Sequence, residues 1–576
     1  MKIDLSRFND AQREAICHDT GPALVLAGPG SGKTAVLTQR LLYLVRERGI
    51  PPESILVVTF TKAAALEMQQ RFAALANEKL PVTFGTFHSV FFQILRETSS
   101  QSSLTVLTQK EKRELLVRCL RKKEISANLQ DAFLKEIEGI KCMHMLPADY
   151  MSHIPGITKE QIFDVMHMLE EMCRIRGKLD FDDMAYLCDK LLTKRPEILS
   201  YYQERFRYIL IDEYQDINEI QAHIMDLLAG ESRNLFMVGD DDQSIYRFRG
   251  ASSRNMLRLP KRYPNLHKII LSVNYRCHEA IIRAASSVIS ENKLRFVKKQ
   301  TAAMRDHAPS RDAVSIVICK SRSEEKIRLR DLLKTIVLDQ GITSVAILFR
   351  RRKDADDVAA LFQECSISLP SFSKKNDAES SFREDLHAYL RLIDGNGTLD
   401  DLIRVMNKPE REIDREDLPT CKDLSDAKGN CRKLLEQLKV RRGGDLFSKI
   451  MYIRKVLAYD SYLKEAAPGL SFDQIFRDDV MDLHQKESAC DTGKFCLETY
   501  HGSKGLEYDA VILPDVIEGI VPNRQVKTQD ELEEERRMLY VAMTRAKKHL
   551  YIFSVDNKKT DEKPSVFLKP LFFFVN

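Results

Sequence analysis

The stretch Ala23-Leu24-Val25-Leu26-Ala27-Gly28-Pro29-Gly30-Ser31-Gly32-Lys33-Thr34 decides the fold. Five apolar residues predict a buried strand, and the glycine-rich turn after them opens a helix at Lys33. Glycines let backbone N–H groups turn inward around phosphates, and the helix N-terminus adds the positive end of its dipole. In this pattern Lys33 reaches the β- and γ-phosphates and the Thr34 hydroxyl ligates Mg2+. Ala27, Gly28, Pro29, Gly30, Ser31, Gly32, Lys33 and Thr34 are therefore candidate nucleotide contacts. Such a loop says only that a nucleotide binds. What is done with it must be read from the rest of the chain.

Outward from the loop, short apolar runs bounded by turn residues recur at 55–59, 208–211, 235–238, 268–271, 345–349, 510–513 and 550–553. They predict buried parallel strands separated by charged helices, an α/β organisation with ligand chemistry at the strand ends. Residues 99–179 and 382–494 lack such runs and carry helical spacing, so both read as helical insertions into two α/β cores. Residues 370–381 read as a hinge or linker.

Composition narrows the class. With 576 residues the chain exceeds one ordinary core, and 44% hydrophobic with 30% charged residues fits a globular protein. A net charge of +5 permits a polyanionic partner without demanding one. The twelve cysteines form no CxxC pair, which favours free thiols in a reducing compartment and predicts a cytoplasmic protein. No apolar run approaches membrane-spanning length, so no membrane partner is expected.

The predicted strand at Tyr208–Ile211 runs into Asp212-Glu213-Tyr214-Gln215-Asp216. One carboxylate at such a strand end can orient a magnesium shell and the next can position or deprotonate a water. Asp212 is thus the candidate magnesium ligand, with Thr34, and Glu213 the candidate base. The 235–238 run ends in Gly239-Asp240-Asp241-Asp242-Gln243, placing Gln243 where it can sense a γ-phosphate. It continues through Tyr246 and Phe248, aromatics that can meet bases.

The text VGDDDQSIYRFRGA (residues 238–251) resembles motif III of superfamily 1 helicases of the UvrD/PcrA/Rep kind, and the other motifs follow in that family's order. Residues 8–16, 57–62, 86–89, 212–216, 271–276, 500–508 and 534–546 resemble the Q motif and motifs Ia, Ib, II, IV, V and VI. The resemblance spans Phe8 to Phe553. It implies two RecA-like parallel-sheet P-loop cores, each with a mainly helical inserted subdomain. The expected division is 1–98 with 180–265 as the first core, 99–179 as its insertion, 266–375 with 495–576 as the second core, and 376–494 as a shortened insertion.

The resemblance also implies roles. Gln12 would read adenine, Tyr275 would stack on it, and Glu507 would join the ATP contacts. Arg276 and Arg545 would meet the γ-phosphate, completing with Lys33, Glu213 and Gln243 a catalytic set. Phe60, Thr86, His88, Tyr246, Phe248 and His501 would line a track for single-stranded DNA. The implied activity is an ATP-dependent DNA helicase or translocase that uses Mg2+ with ATP, moves 3′ to 5′ and acts at single-strand/duplex junctions in repair or replication. Arginines placed opposite the P-loop would couple hydrolysis to cleft closure.

The chain departs from the family in three places. Phe248 stands where tryptophan is usual, keeping a π-face but losing area. Asn407-Lys408-Pro409-Glu410-Arg411-Glu412-Ile413-Asp414 replaces a glycine-bearing loop thought to touch duplex DNA, and Glu410 and Glu412 would repel phosphates. The chain runs only a short way past motif VI, and its apolar end at 570–576 predicts a packed terminal strand or else a docking patch. These departures keep a second reading open, a DNA-stimulated translocase subunit with little unwinding of its own, beside a protein partner such as a nuclease or in a phage-defence assembly.

Overall fold

The computed structural model describes residues 3–572 apart from 99–104, 143–149, 181–182, 248–252, 304–312, most of 356–376, 414–416, 420–423, 445 and 467–493. The chain divides into two compact units, Met1–Ser321 with Tyr500–Asn576, and Arg322–Thr499.

In the first unit, β1 (Ala23–Ala27), β2 (Ile55–Thr59), β3 (Thr83–Thr86), β4 (Tyr208–Ile211), β5 (Leu235–Gly239) and β6 (His267–Leu271) form one parallel sheet in the order β3-β2-β4-β5-β1-β6. All five residues of β1, β2 and β5 are buried, because helices cover both faces. Alternate residues serve alternate cores. Leu24 and Leu26 pack in one cluster with Phe87 and Phe91, while Val25 and Ala27 join Val36, Leu41 and Phe72 in the other. Phe87 is a core residue, as its apolar surroundings suggest.

The β6 strand corrects an expected boundary. Placed by sequence in the second core, it pairs along the whole of β1 (Ala23↔His267 to Ala27↔Leu271) and ends the first sheet. The chain leaves that sheet only after Leu271. Next, β7 (Val273–Asn274) pairs in parallel with β8 (Thr301–Ala302). Residues 314–319, 508–513 and 546–555 supply three further parallel strands, with 546–555 between the other two.

Helices Gln109–Lys122, Gln130–Cys142 and Lys159–Ile175 gather a separate cluster around Leu116, Phe133 and Val165. Beneath it, buried Lys112 meets Asp180 at 2.7 Å and buried Lys141 meets Asp183. The strand expected at 570–576 does not form over its described part, 570–572. Val566–Leu571 forms a 3-10 helix, started by the Ser565 hydroxyl accepting from Phe567 N–H and containing Pro570, which has no N–H to give a ladder. Phe567, Leu568 and Leu571 are buried; 573–576 lie outside the described residues.

The second unit holds a parallel pair, Val345–Phe349 with Phe495–Thr499. Its helices, Asp377–Asp394, Leu399–Val405, Gly429–Lys439, Leu446–Met451 and Tyr459–Ala466, enclose their own cluster around Tyr389, Leu402 and Leu438. Between them the 407–413 turn is pinned by Asn407, whose side chain exchanges hydrogen bonds with Ile413 N–H (3.0 Å) and C=O (2.9 Å). Glu412 there adopts φ 52°, the left-handed region, and both Glu410 and Glu412 are exposed.

Candidate active site

The loop after β1 folds on itself, with Ser31 Oγ donating to Gly28 C=O at 2.7 Å before the Lys33–Arg46 helix begins. Gly30 sits at φ +65°, and a Cβ there would fall 2.5 Å from Arg276 Cβ and 2.6 Å from Asn274 Oδ1. Only glycine lets the loop approach that closely. Ala27 is wholly buried beside Val25, so only its backbone can face a ligand.

Asp10–Cys17, the first helix, braces the loop from behind. Its capping box pairs Asn9 with Gln12. The Gln12 amide donates to Ser31 C=O (3.0 Å), and Asn9 Nδ2 donates to the Tyr275 hydroxyl (2.9 Å). Tyr275 N–H in turn donates to Gly30 C=O (2.9 Å). A cavity of about 1180 Å³ opens here. It is lined by Pro29–Ala35, Asp212, Glu213, Gln243, Tyr275, Arg276, Glu507 and Arg545, with Phe60 and Tyr246.

At the end of β4 the two carboxylates differ. Burial, then the adjacent Glu213 charge, push the Asp212 carboxyl above its ordinary range. Burial acts on Glu213 in the same sense, but Lys33, Lys504 and the Gln215 amide outweigh it and hold Glu213 low. Lys33 Nζ lies 3.5 Å from Glu213 Oε1, and Lys504 Nζ 3.8 Å from Oε2. Glu213 has φ 54°, a strained conformation for a side-chain-bearing residue.

The arginines face the loop from across the cavity. Arg276 Nε donates to Glu507 at 2.6 Å, and Lys547 meets the other oxygen of Glu507 at 2.8 Å. Arg545 is almost wholly buried and bonded to Val541 C=O (2.9 Å), Leu506 C=O (3.2 Å), Thr544 Oγ1 (3.1 Å) and Gln243 Oε1 (3.4 Å). Burial first, and then the Arg276 charge, lower its pKa to about 10, which leaves it charged at neutral pH.

Phe60 and Tyr246 stack on each other, with centroids 5.2 Å apart and planes 17° apart. The His501 ring lies 6.3 Å from Tyr246, and Lys504 sits 5.1 Å over the same ring. Thr86 ends β3, exchanging hydrogen bonds with Ser89, and His88 lies in the first turn of the following helix, Phe87–Thr98. Phe248 lies outside the described residues.

Two groups were missed from sequence. Lys504 lies inside motif V (residues 500–508), where nothing in the sequence marks its role; it donates to Asp216 and to Gln243 C=O (2.9 Å). Arg295, Lys298 and Gln300 belong to no motif, and nothing in their spacing marked them. Lys298 lies against Asp240, Asp241 and Asp242, the one three-carboxylate group of metal-site geometry among the described residues. Its ammonium already occupies the centre of that cluster, and Arg295 pairs with Asp242 beside it. At the P-loop, by contrast, Thr34 and buried Asp212 offer the hard oxygen donors that Mg2+ prefers, so these residues fit the ion.

A parallel sheet with a P-loop after one strand, an acidic pair after another and arginines across the cavity defines the P-loop nucleoside-triphosphatase class. The UvrD/REP helicase N-terminal domain matches residues 8–264, and the UvrD-like helicase C-terminal domain matches 269–451 and 449–557. The chain belongs to the UvrD/REP helicase family. It is similar to YjcD of Bacillus subtilis, with 31% identity covering 98% of this chain and 81% of that protein. ATP-dependent DNA helicase PcrA of Leuconostoc citreum is 29% identical (95% and 81% covered), and that of Staphylococcus aureus strain Mu50 is 28% identical (99% and 87%).

Proposed function

We propose that this UvrD-family enzyme, an ATP-dependent DNA helicase, steps 3′ to 5′ along single-stranded DNA by closing a nucleotide cleft between two RecA-like cores. The observation that carries the reading is the shared cavity. The P-loop and the Asp212–Glu213 pair form one wall, Arg276 and Arg545 the other, and the Phe60–Tyr246 stack opens onto the same space.

In this reading Lys33 and the backbone N–H groups of the loop cradle the phosphates, while Gln12, Tyr275 and Glu507 hold the nucleoside. Glu213 orients water and accepts its proton, a role suited to a carboxylate kept ionised by two lysines. Gln243, Arg276 and Arg545 meet charge that develops on the γ-phosphoryl oxygens. Thr34 and Asp212 would hold Mg2+, which would supply charge neutralisation for the bound phosphates. Phe60, Thr86, His88, Tyr246, Phe248 and His501 contact DNA. The division into two cores and two insertions is retained, with the first core extended through Leu271.

A setting in cytoplasmic DNA repair or replication follows from the substrate. Eight described cysteines are free, and no described helix is long and apolar enough to cross a membrane. The exposed Glu410 and Glu412 favour a second reading, translocation with little free unwinding beside a protein partner such as a nuclease. ATP hydrolysis with and without single-stranded DNA, then strand displacement on 3′- and 5′-tailed duplexes, tests both. DNA stimulation with displacement only from the 3′ tail is expected. Stimulation without displacement selects the second reading, and absence of stimulation refutes the motor.

A further inference from the structure

Residues 292–302 form a strap that meets the Asp240–Asp242 turn, the Glu533–Tyr540 helix and the space beside Gly28, yet belongs to none of the recognised motifs. Asn292 Nδ2 donates to Glu533 C=O (2.9 Å). Arg295 makes two hydrogen bonds to Asp242 (2.8 and 2.7 Å), and Phe296 N–H donates to Asp241 (2.7 Å). Lys298, almost wholly buried, bridges Asp240 (2.5 Å), Asp241 and Asp242 (3.0 Å). Gln300 donates to the Tyr540 hydroxyl (3.0 Å), and its amide occupies the space a Cβ on Gly28 would need. The strap then enters β8 beside β7, immediately before Tyr275 and Arg276.

Asp240, Asp241 and Asp242 are buried with oxygens within 4.8 Å of one another. Lys298 and Arg295 place two cations in contact with these three carboxylates. Asp240 accepts a 2.6 Å hydrogen bond from Gln243 Nε2. With its Nε2 donated to Asp240, Gln243 turns Oε1 toward Arg545 Nη2 at 3.4 Å.

We infer that Lys298 is a positioning residue for Gln243, acting through Asp240 to fix which way the glutamine amide faces the nucleotide cavity. This rests on the reading of Gln243 as a γ-phosphate contact. The strap thereby ties the sensing amide to the Tyr275–Arg276 segment and to the back of the P-loop.

The test uses the full-length protein with saturating single-stranded DNA, comparing Lys298→Met, Lys298→Arg, Asp240→Asn and Gln243→Ala. Asp240→Asn leaves Asp241 and Asp242 balanced by Lys298 and Arg295, so it keeps the test open if Lys298→Met does not melt cooperatively. Lys298→Met and Asp240→Asn are expected to lower kcat about tenfold with KM for ATP within about threefold, and Lys298→Arg to recover most of kcat. Lys298→Met/Gln243→Ala should be no slower than Gln243→Ala alone, because both act through one amide. Losses that add, or wild-type kcat in Asp240→Asn, overturn the inference. Wild-type kcat in Gln243→Ala overturns the underlying reading instead.

Discussion

The phosphate side of the cavity and its aromatic side both stand closed on themselves, by different physics. On the phosphate side, groups proposed to meet ATP hold ionic partners: Lys33 with Glu213, and Arg276 with Glu507. On the aromatic side, Phe60 and Tyr246 use each other as the stacking partner a base would provide. The ionic side rests on a rigid frame of strand ends and a glycine turn, and exchanging a carboxylate for a phosphate moves little backbone. In the proposed reading the aromatic side would separate two rings to admit a base between them, moving the loop segments after β2 and β5 that carry them. A pre-built nucleotide site beside a proposed DNA contact that opens is the arrangement expected if DNA binding and closure are linked.

The comparison can be broken in order of effect. Glu213→Gln should lower kcat by about 10² to 10⁴, as loss of a general base does, while fluorescent ATP-analogue binding persists. Unchanged turnover would remove Glu213 from the chemistry. Next, Lys33→Ala should cost about 10² to 10³ in kcat/KM with an unaltered melting transition. Tyr246→Ala should weaken single-stranded DNA by about 5- to 150-fold, the range for one lost base stack. If the Phe60–Tyr246 pair is purely structural, thermal stability falls and DNA affinity at permissive temperature does not.

Two smaller changes sharpen the contrast. Glu507→Gln frees Arg276 from its 2.6 Å partner and should shift KM for ATP by only a few-fold, about 1 kcal/mol or less, because the pair is partly exposed. Finally, Glu410→Lys with Glu412→Gly should raise duplex affinity by a few-fold at low salt, an effect that fades as ionic strength rises. An equal rise for single strands would show that the 407–413 turn does not discriminate duplex.

Much of this architecture is legible in the chain because buried parallel strands advertise themselves. Ile55–Thr59, Tyr208–Ile211 and Val345–Phe349 fall where unbroken apolar runs place them. Thr83–Thr86 does not, since its glycine and threonines read as a turn. Phe495–Thr499 mixes apolar and polar residues and is equally silent. Sheet order is not written in such runs either, which is why β6 was expected in the wrong sheet.

In the site, motif residues are legible because phosphate chemistry restricts their types and spacing. The ion pairs Lys504–Asp216 and Lys298–Asp240 are not, because each joins segments far apart in sequence, and a lysine's stem bears no mark of where its charge will come to rest.

Glu213 carries a further consequence. Its left-handed backbone would relax with glycine or asparagine, residues that occupy this region readily. Its carboxylate would be lost with either. With Glu213 as the proposed base, selection for heat resistance and selection for turnover would pull in opposite directions at this single codon. A laboratory screen for thermotolerance, blind to ATP consumption, should enrich replacements here and return a sturdier protein with lower ATP turnover.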